Sequence, residues 1–143
     1  MNLDYMKVAI ELAKTSGKDI PVAAVIVKDG KIIAKAVNER EKKQNVVNHA
    51  EMVAIQLANK KLKNWRLNDC EMYVTLEPCP MCASAILQAR ISKLYFGAYD
   101  LLNGAMGSKT DMQKIMGYNI DVKGGILEDE CIKILQNYFE RLR

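Results

Sequence analysis

The chain has 143 residues, half of them hydrophobic and 27% charged, the size and composition of one folded unit whose core needs no disulfide staple. A net charge of +4 permits a polyanionic partner without requiring one, and clusters such as Lys60, Lys61, Lys63 and Arg66 read first as a solvated face. No apolar run reaches the roughly 18 residues that cross a bilayer as a helix, and Asp4 and Glu11 interrupt the apolar N-terminal pattern, which reads as an amphipathic helix sooner than a signal peptide, so a cytoplasmic location is expected.

In chain order, residues 3 to 16 place Leu3, Met6, Val8, Ile10 and Ala13 mostly at helical spacing, with Gly17 as the stop. VAAVIVK, Asp29-Gly30 and KIIAKAV then read as a β-hairpin, because Asp-Gly supplies the positive φ angles of a tight turn. Both strands are almost continuously apolar, as when both faces of a sheet are covered. Residues 38 to 48 are a polar loop, and helical periodicity returns from about His49 to Lys61. A strand at 71–76 and a helix from Pro80 to about Arg90 follow, the proline being tolerated in the first turn. Next come a strand at 93–98, a glycine-punctuated loop, a short helix from about Ser108 to Met116 and a last short strand near 120–123.

The closing helix, 128–142, puts Cys131, Leu135, Tyr138, Phe139 and Leu142 on one stripe. Its acidic first turn and terminal arginines suit the helix dipole. Strands alternating with helices, with no repeat or linker, predict one domain over residues 1–143: a three-layer α/β/α sandwich around a mixed five-stranded sheet.

Four cysteines, Cys70, Cys79, Cys82 and Cys131, and a single histidine, His49, carry the chemical signal. In a cytosolic chain a C-x-x-C pair points to metal or redox chemistry sooner than to a disulfide. Cys79 and Cys82 open a helix directly after a strand, where residues three apart share a face and the helix N-terminus favours thiolates. His49 opens a different helix. If both N-termini meet at one spot, two thiolates and one imidazole form a Cys2His set with a fourth position open to water, the mark of catalytic zinc. Donor softness favours zinc over magnesium or calcium.

Each piece alone has a plainer explanation. His49 could cap its helix, and the C-x-x-C could be a redox pair or part of a structural zinc knuckle. The redox reading lacks any second supporting feature. A closed structural site needs a fourth ligand, and nine residues of extended chain at about 3.3 Å each put Cys70 roughly 25–30 Å from Cys79. Cys131 is not excluded by distance, but it falls on the apolar stripe of the last helix and reads as core. With the metal in place Glu51 becomes a carboxylate beside a water, suited to general acid–base work. His49-Ala50-Glu51, followed about thirty residues later by Pro78-Cys79-Pro80-Met81-Cys82, is the H-x-E…P-C-x-x-C pattern of the zinc nucleobase deaminases.

Over nearly its whole length the chain further resembles the bacterial tRNA-specific adenosine deaminases, which have the cytidine-deaminase-like fold. DIPVAAVIV, NHAEMVAI, NWRLNDCEMYVTLEPCPMCASAI, RISKLYFGAYDLLNGAMGS and GGILEDECIKILQNYFERLR carry the likeness. The resemblance implies hydrolytic deamination of the wobble adenosine of a tRNA anticodon to inosine, with one zinc held by His49, Cys79 and Cys82. It implies that Glu51 takes a proton from water attacking C6 and delivers protons to N1 and to departing ammonia. It implies an Ala50 N–H facing the reacting centre, Asn38 hydrogen-bonding the flipped base, Asp100 contacting the RNA backbone, a tRNA anticodon stem-loop as partner, and a homodimer. Asn38 and Asp100 would otherwise read as turn residues. Val47-Asn48 stands where the family usually has Thr-Ala, and Gly117-Tyr118 where it often has Asn-His; both departures fall where substrate loops are expected. Two other readings stay open: a deaminase of a free base or nucleoside, which needs no basic surface, and a nucleic-acid-binding module with a closed zinc site.

Overall fold

A computed structural model describes all 143 residues. The elements run α1 (Leu3–Ala13), β1 (Ala23–Lys28), β2 (Lys31–Val37), α2 (Ala50–Leu62), β3 (Cys70–Leu76), α3 (Pro80–Gln88), β4 (Lys93–Ala98), α4 (Met112–Met116), β5 (Asp121–Lys123) and α5 (Glu128–Arg141). The five strands form one mixed sheet in the order β2-β1-β3-β4-β5. β1 pairs antiparallel with β2 and β3, whereas β3, β4 and β5 are parallel.

The apolar runs divide by alternation. Ala24 and Ile26, Met72 and Val74, and Leu94 and Phe96 face α2 and α3 in one core. Val25 and Val27, Tyr73, and Tyr95 face the α1 and α5 layer in the other. One core on each face of the sheet gives the three expected layers. β1, β3 and β4 lie inside the sheet; β2 is an edge strand, with Ile33 packed into the first core and Ile32 into the second but Lys31 and Lys35 exposed, so its apolar run overstated its burial. The hairpin turn is as expected, with φ of 51° at Asp29 and 74° at Gly30.

Two helix boundaries and one helix face differ most from the sequence pattern. α1 stops at Ala13; Thr15 and Ser16 continue as turns before Gly17 reverses the chain at φ 66°. The helix expected from Ser108 begins only at Met112, because Asp111 caps Gln113 and pairs with Met106 across a bridge. On α5 the buried line is Cys131, Ile134 and Tyr138, while Phe139 and Leu142 lie 47% and 66% exposed. α5 rests chiefly on β4 and α1, with Tyr138 donating to Lys18 O at 2.7 Å, and these cover a narrow stripe. No helix is long and apolar enough to cross a membrane.

α2 and α3 lie on the same face of the sheet. Both begin at the end where β3 and β4 finish, outside the carboxyl ends of parallel strands, where α/β sheets bind ligands.

Candidate active site

His49 and Cys79 occupy the N-cap positions of α2 and α3 in extended backbone conformation. An N-cap is normally Ser, Thr, Asp or Asn, whose side chain accepts a first-turn N–H. Neither His49 nor Cys79 caps its helix; both side chains turn to a common point with Cys82 from the first turn of α3. Forgoing the cap frees the ligands, and it leaves two positive helix ends facing two sulfurs.

The three donor atoms lie within 4.8 Å of one another, and no fourth Cys, His, Asp or Glu joins them. His49 Nδ1 is 3.6 Å from Cys79 Sγ and 3.5 Å from Cys82 Sγ. Tetrahedral zinc, with bonds of about 2.3 Å to sulfur and about 2.0–2.1 Å to nitrogen, separates such donors by about 3.6 Å. The donor set therefore fits zinc in both chemistry and spacing. Cys70 and Cys131 are buried in opposite cores, and burial pushes the Cys131 thiol up to about 12. The closed four-ligand site is thereby set aside.

Sulfurs this close share one negative charge. The hydrogen bond from Cys82 draws Cys79 down to about 4, and the same bond, with burial, holds Cys82 far above the ordinary thiol range. The Cys79 hydrogen bond raises His49. A divalent cation relieves this conflict by neutralising both thiolates. Glu51, in the first turn of α2, is 4% exposed, and burial pushes its carboxyl up to about 7. A group with a pKa near neutrality can take up and release a proton with equal ease.

A cavity of about 310 Å³ opens over these residues. His49, Ala50, Glu51 and Cys79 form its floor, while Asn38 with Arg40 and Asp100 with Asn103 stand at its sides. All seven residues singled out in the sequence except Cys82 line it, and Cys82 lies beneath, fully buried. Asn38 is already engaged: Nδ2 donates to Ile20 O and Oδ1 accepts from Arg40 N. Asp100 Oδ1 accepts from Leu102 N and Asn103 N, closing a turn of its own loop.

Both sides of the cavity are tethered by buried carboxylates that carry no motif in the sequence. Asp19, 2% exposed, accepts from Glu41 N and Lys42 N at 2.6 and 3.1 Å and so holds the loop after Asn38. Glu77, also 2% exposed, accepts from the loop after β4. The one available signal for Glu77 is an acid wedged between Leu76 and Pro78 at the end of an apolar strand. Of the two departures, Tyr118 does not line the cavity; its hydroxyl accepts from Arg90 at 2.6 Å. The Asn48 backbone braces the 38–48 loop, accepting from Glu39 N, and nothing in the structure explains why its side chain is asparagine.

Residues 1–98 match the family described as the cytidine and deoxycytidylate deaminase zinc-binding region. The chain is 43% identical to the tRNA-specific adenosine deaminase of Bacillus subtilis, over 97% of this chain and 89% of that one. It superposes with a TM-score of 0.86 and 36% identity on a structure from a study of A-to-I editing by tRNA:A34 deaminases, over 94% of this chain and all of that one. A guanine deaminase from Nitrosomonas europaea, 24% identical with a TM-score of 0.84, shares the fold. The chain thus belongs to the cytidine and deoxycytidylate deaminase zinc-binding family, among its tRNA-specific adenosine deaminases.

Proposed function

We propose that this protein is a zinc-dependent hydrolase that deaminates the wobble adenosine of a tRNA anticodon to inosine, releasing ammonia. The observation that carries the reading is a Cys2His set at zinc spacing with a buried carboxylate beside it, in a chain 43% identical to a tRNA-specific adenosine deaminase.

In this reading His49, Cys79 and Cys82 hold the metal. Zinc bound there supplies the Lewis acidity that makes water nucleophilic near neutral pH. Glu51 removes a proton from the attacking water and passes it to N1 of adenine as C6 becomes tetrahedral. It then carries a second proton to the departing ammonia, so adenosine and water give inosine and ammonia. The Ala50 N–H, in the first turn of α2 and without an intrahelical acceptor, faces the developing charge. Asn38 and Asp100 hold the base and the RNA backbone from the two sides of the cavity. The anticodon loop suits a base that must be extruded, since little pairing is broken.

The test compares an anticodon stem-loop bearing a wobble adenosine with free guanine, cytosine and adenosine, reading inosine by mass spectrometry and ammonia release in parallel. Inosine formed at the wobble position is the expected result, and activity confined to the free bases would overturn it. The same reading has the enzyme working in the cytoplasm as a homodimer. Its support is Val46, Leu101 and Leu102, exposed at 70%, 77% and 80% on the loops beside the cavity, apolar surface that a partner subunit would cover. Sedimentation velocity is expected to give twice the chain mass; a monomer at micromolar concentration would count against the dimer.

A further inference from the structure

Glu77 has chemistry that the deamination reaction leaves unused. It sits two residues before Cys79, 2% exposed, and no lysine or arginine pairs with it. Its charge is met instead by four donors from the loop after β4. Oε1 accepts from Asp100 N at 3.1 Å and from Ser108 Oγ at 2.5 Å, and Oε2 accepts from Met106 N and Ser108 N, both at 3.1 Å. A carboxylate offers about four lone-pair sites, so none remains for a proton-transfer role. Glu77 is therefore saturated, not poised to act on substrate.

The loop is shaped around this group. A Cβ on Gly104 would stand 2.4 Å from the Glu77 carboxyl carbon and 2.4 Å from the Asp100 carbonyl, so only glycine lets the chain pass. Two backbone bonds tie the same turn to the loop and to β4, Ala105 N to Pro78 O and Glu77 N to Ala98 O, each at 2.8 Å. The segment held in this way carries Asp100 and Asn103 to the cavity. Three of the donors are backbone N–H groups, so the clasp sets main-chain shape and not merely side-chain packing.

We infer that Glu77 is a positioning residue for polynucleotide binding: it holds the 100–108 loop in the form that presents Asp100 and Asn103 to RNA, and it governs substrate affinity and not the chemical step. The inference rests on the tRNA reading above. It also explains why the group must be a carboxylate. Glutamine has the same shape, but its amide would turn two N–H donors toward donors already present.

The test is Glu77→Gln in the full-length, zinc-loaded enzyme. The amide protons of Asp100, Met106 and Ser108 should exchange faster, and KM for the anticodon stem-loop should rise about tenfold or more, the worth of one bond to a charged group. The kcat should stay within about threefold, with zinc at one per chain. A merely structural role would instead lower the active, zinc-loaded fraction, and with it the apparent kcat, at unchanged KM; that result overturns the inference, as does an unchanged KM. If Glu77→Gln does not fold, Ser108→Ala removes a single donor and should raise KM about threefold with faster exchange of the same amides; no change in either overturns the inference. A parent enzyme that makes no inosine in the stem-loop would remove the tRNA reading, while the exchange measurement would still decide whether Glu77 clasps the loop.

Discussion

Replacing Glu51 by glutamine is expected to lower the deamination rate by about 10³–10⁴-fold while leaving zinc at one per chain, the upper range for a lost general acid–base because this group handles two proton transfers. The reason is positional. Glu51 lies in the first turn of α2, two residues after His49 and outside the metal's donor set, yet on the floor of the same cavity. Its burial raises the carboxyl to about 7, so the protein contributes a proton carrier where an exposed acid would stay ionised. Glutamine preserves the volume and removes the carrier. Single-turnover inosine formation, read beside metal content, checks this directly; a rate within about tenfold of the parent would sink Glu51 as the proton carrier.

The second large effect concerns the metal. Cys82→Ala is expected to lose most of the bound zinc and to reduce inosine formation to the uncatalysed background. Cys131→Ala and Cys70→Ala are expected to keep both zinc and activity. Only Cys82 stands 3.5 Å from His49 Nδ1, while the other two thiols are buried among apolar side chains in separate cores. Losing one of three protein donors also unties the N-termini of α2 and α3, so the Cys82→Ala protein should melt at a lower temperature than the parent. Metal analysis with a thermal melt separates the cases. Zinc retained by Cys82→Ala, or lost by Cys131→Ala, would contradict the open three-ligand site.

The strands at 31–37 and 93–98 and the hairpin turn at Asp29-Gly30 were legible because short apolar runs rich in β-branched or aromatic residues and positive-φ turn chemistry are local properties. The helix ends were less so. α1 and α4 are shorter than their apolar patterns because bonds such as the Asp111 cap on Gln113 compete with helical ones. Phe139 and Leu142 fit the α5 stripe in sequence but are exposed, since periodicity states which residues share a face and not how far a neighbouring element covers it.

For the site, the sequence by itself determined the donor types, their order and the placement of each at a helix start, because H-x-E and P-C-x-x-C are constrained by coordination chemistry that needs those side chains. What only the tertiary structure decided is that the two helix N-termini converge, bringing residues thirty positions apart to 3.6 Å. It also decided that Asp19 and Glu77 brace the two sides of the cavity. Their partners are mostly backbone N–H groups 22 to 31 residues away in the chain. Every residue except proline offers that same N–H, so such a bond leaves no mark on residue identity and becomes visible only when the chain is folded.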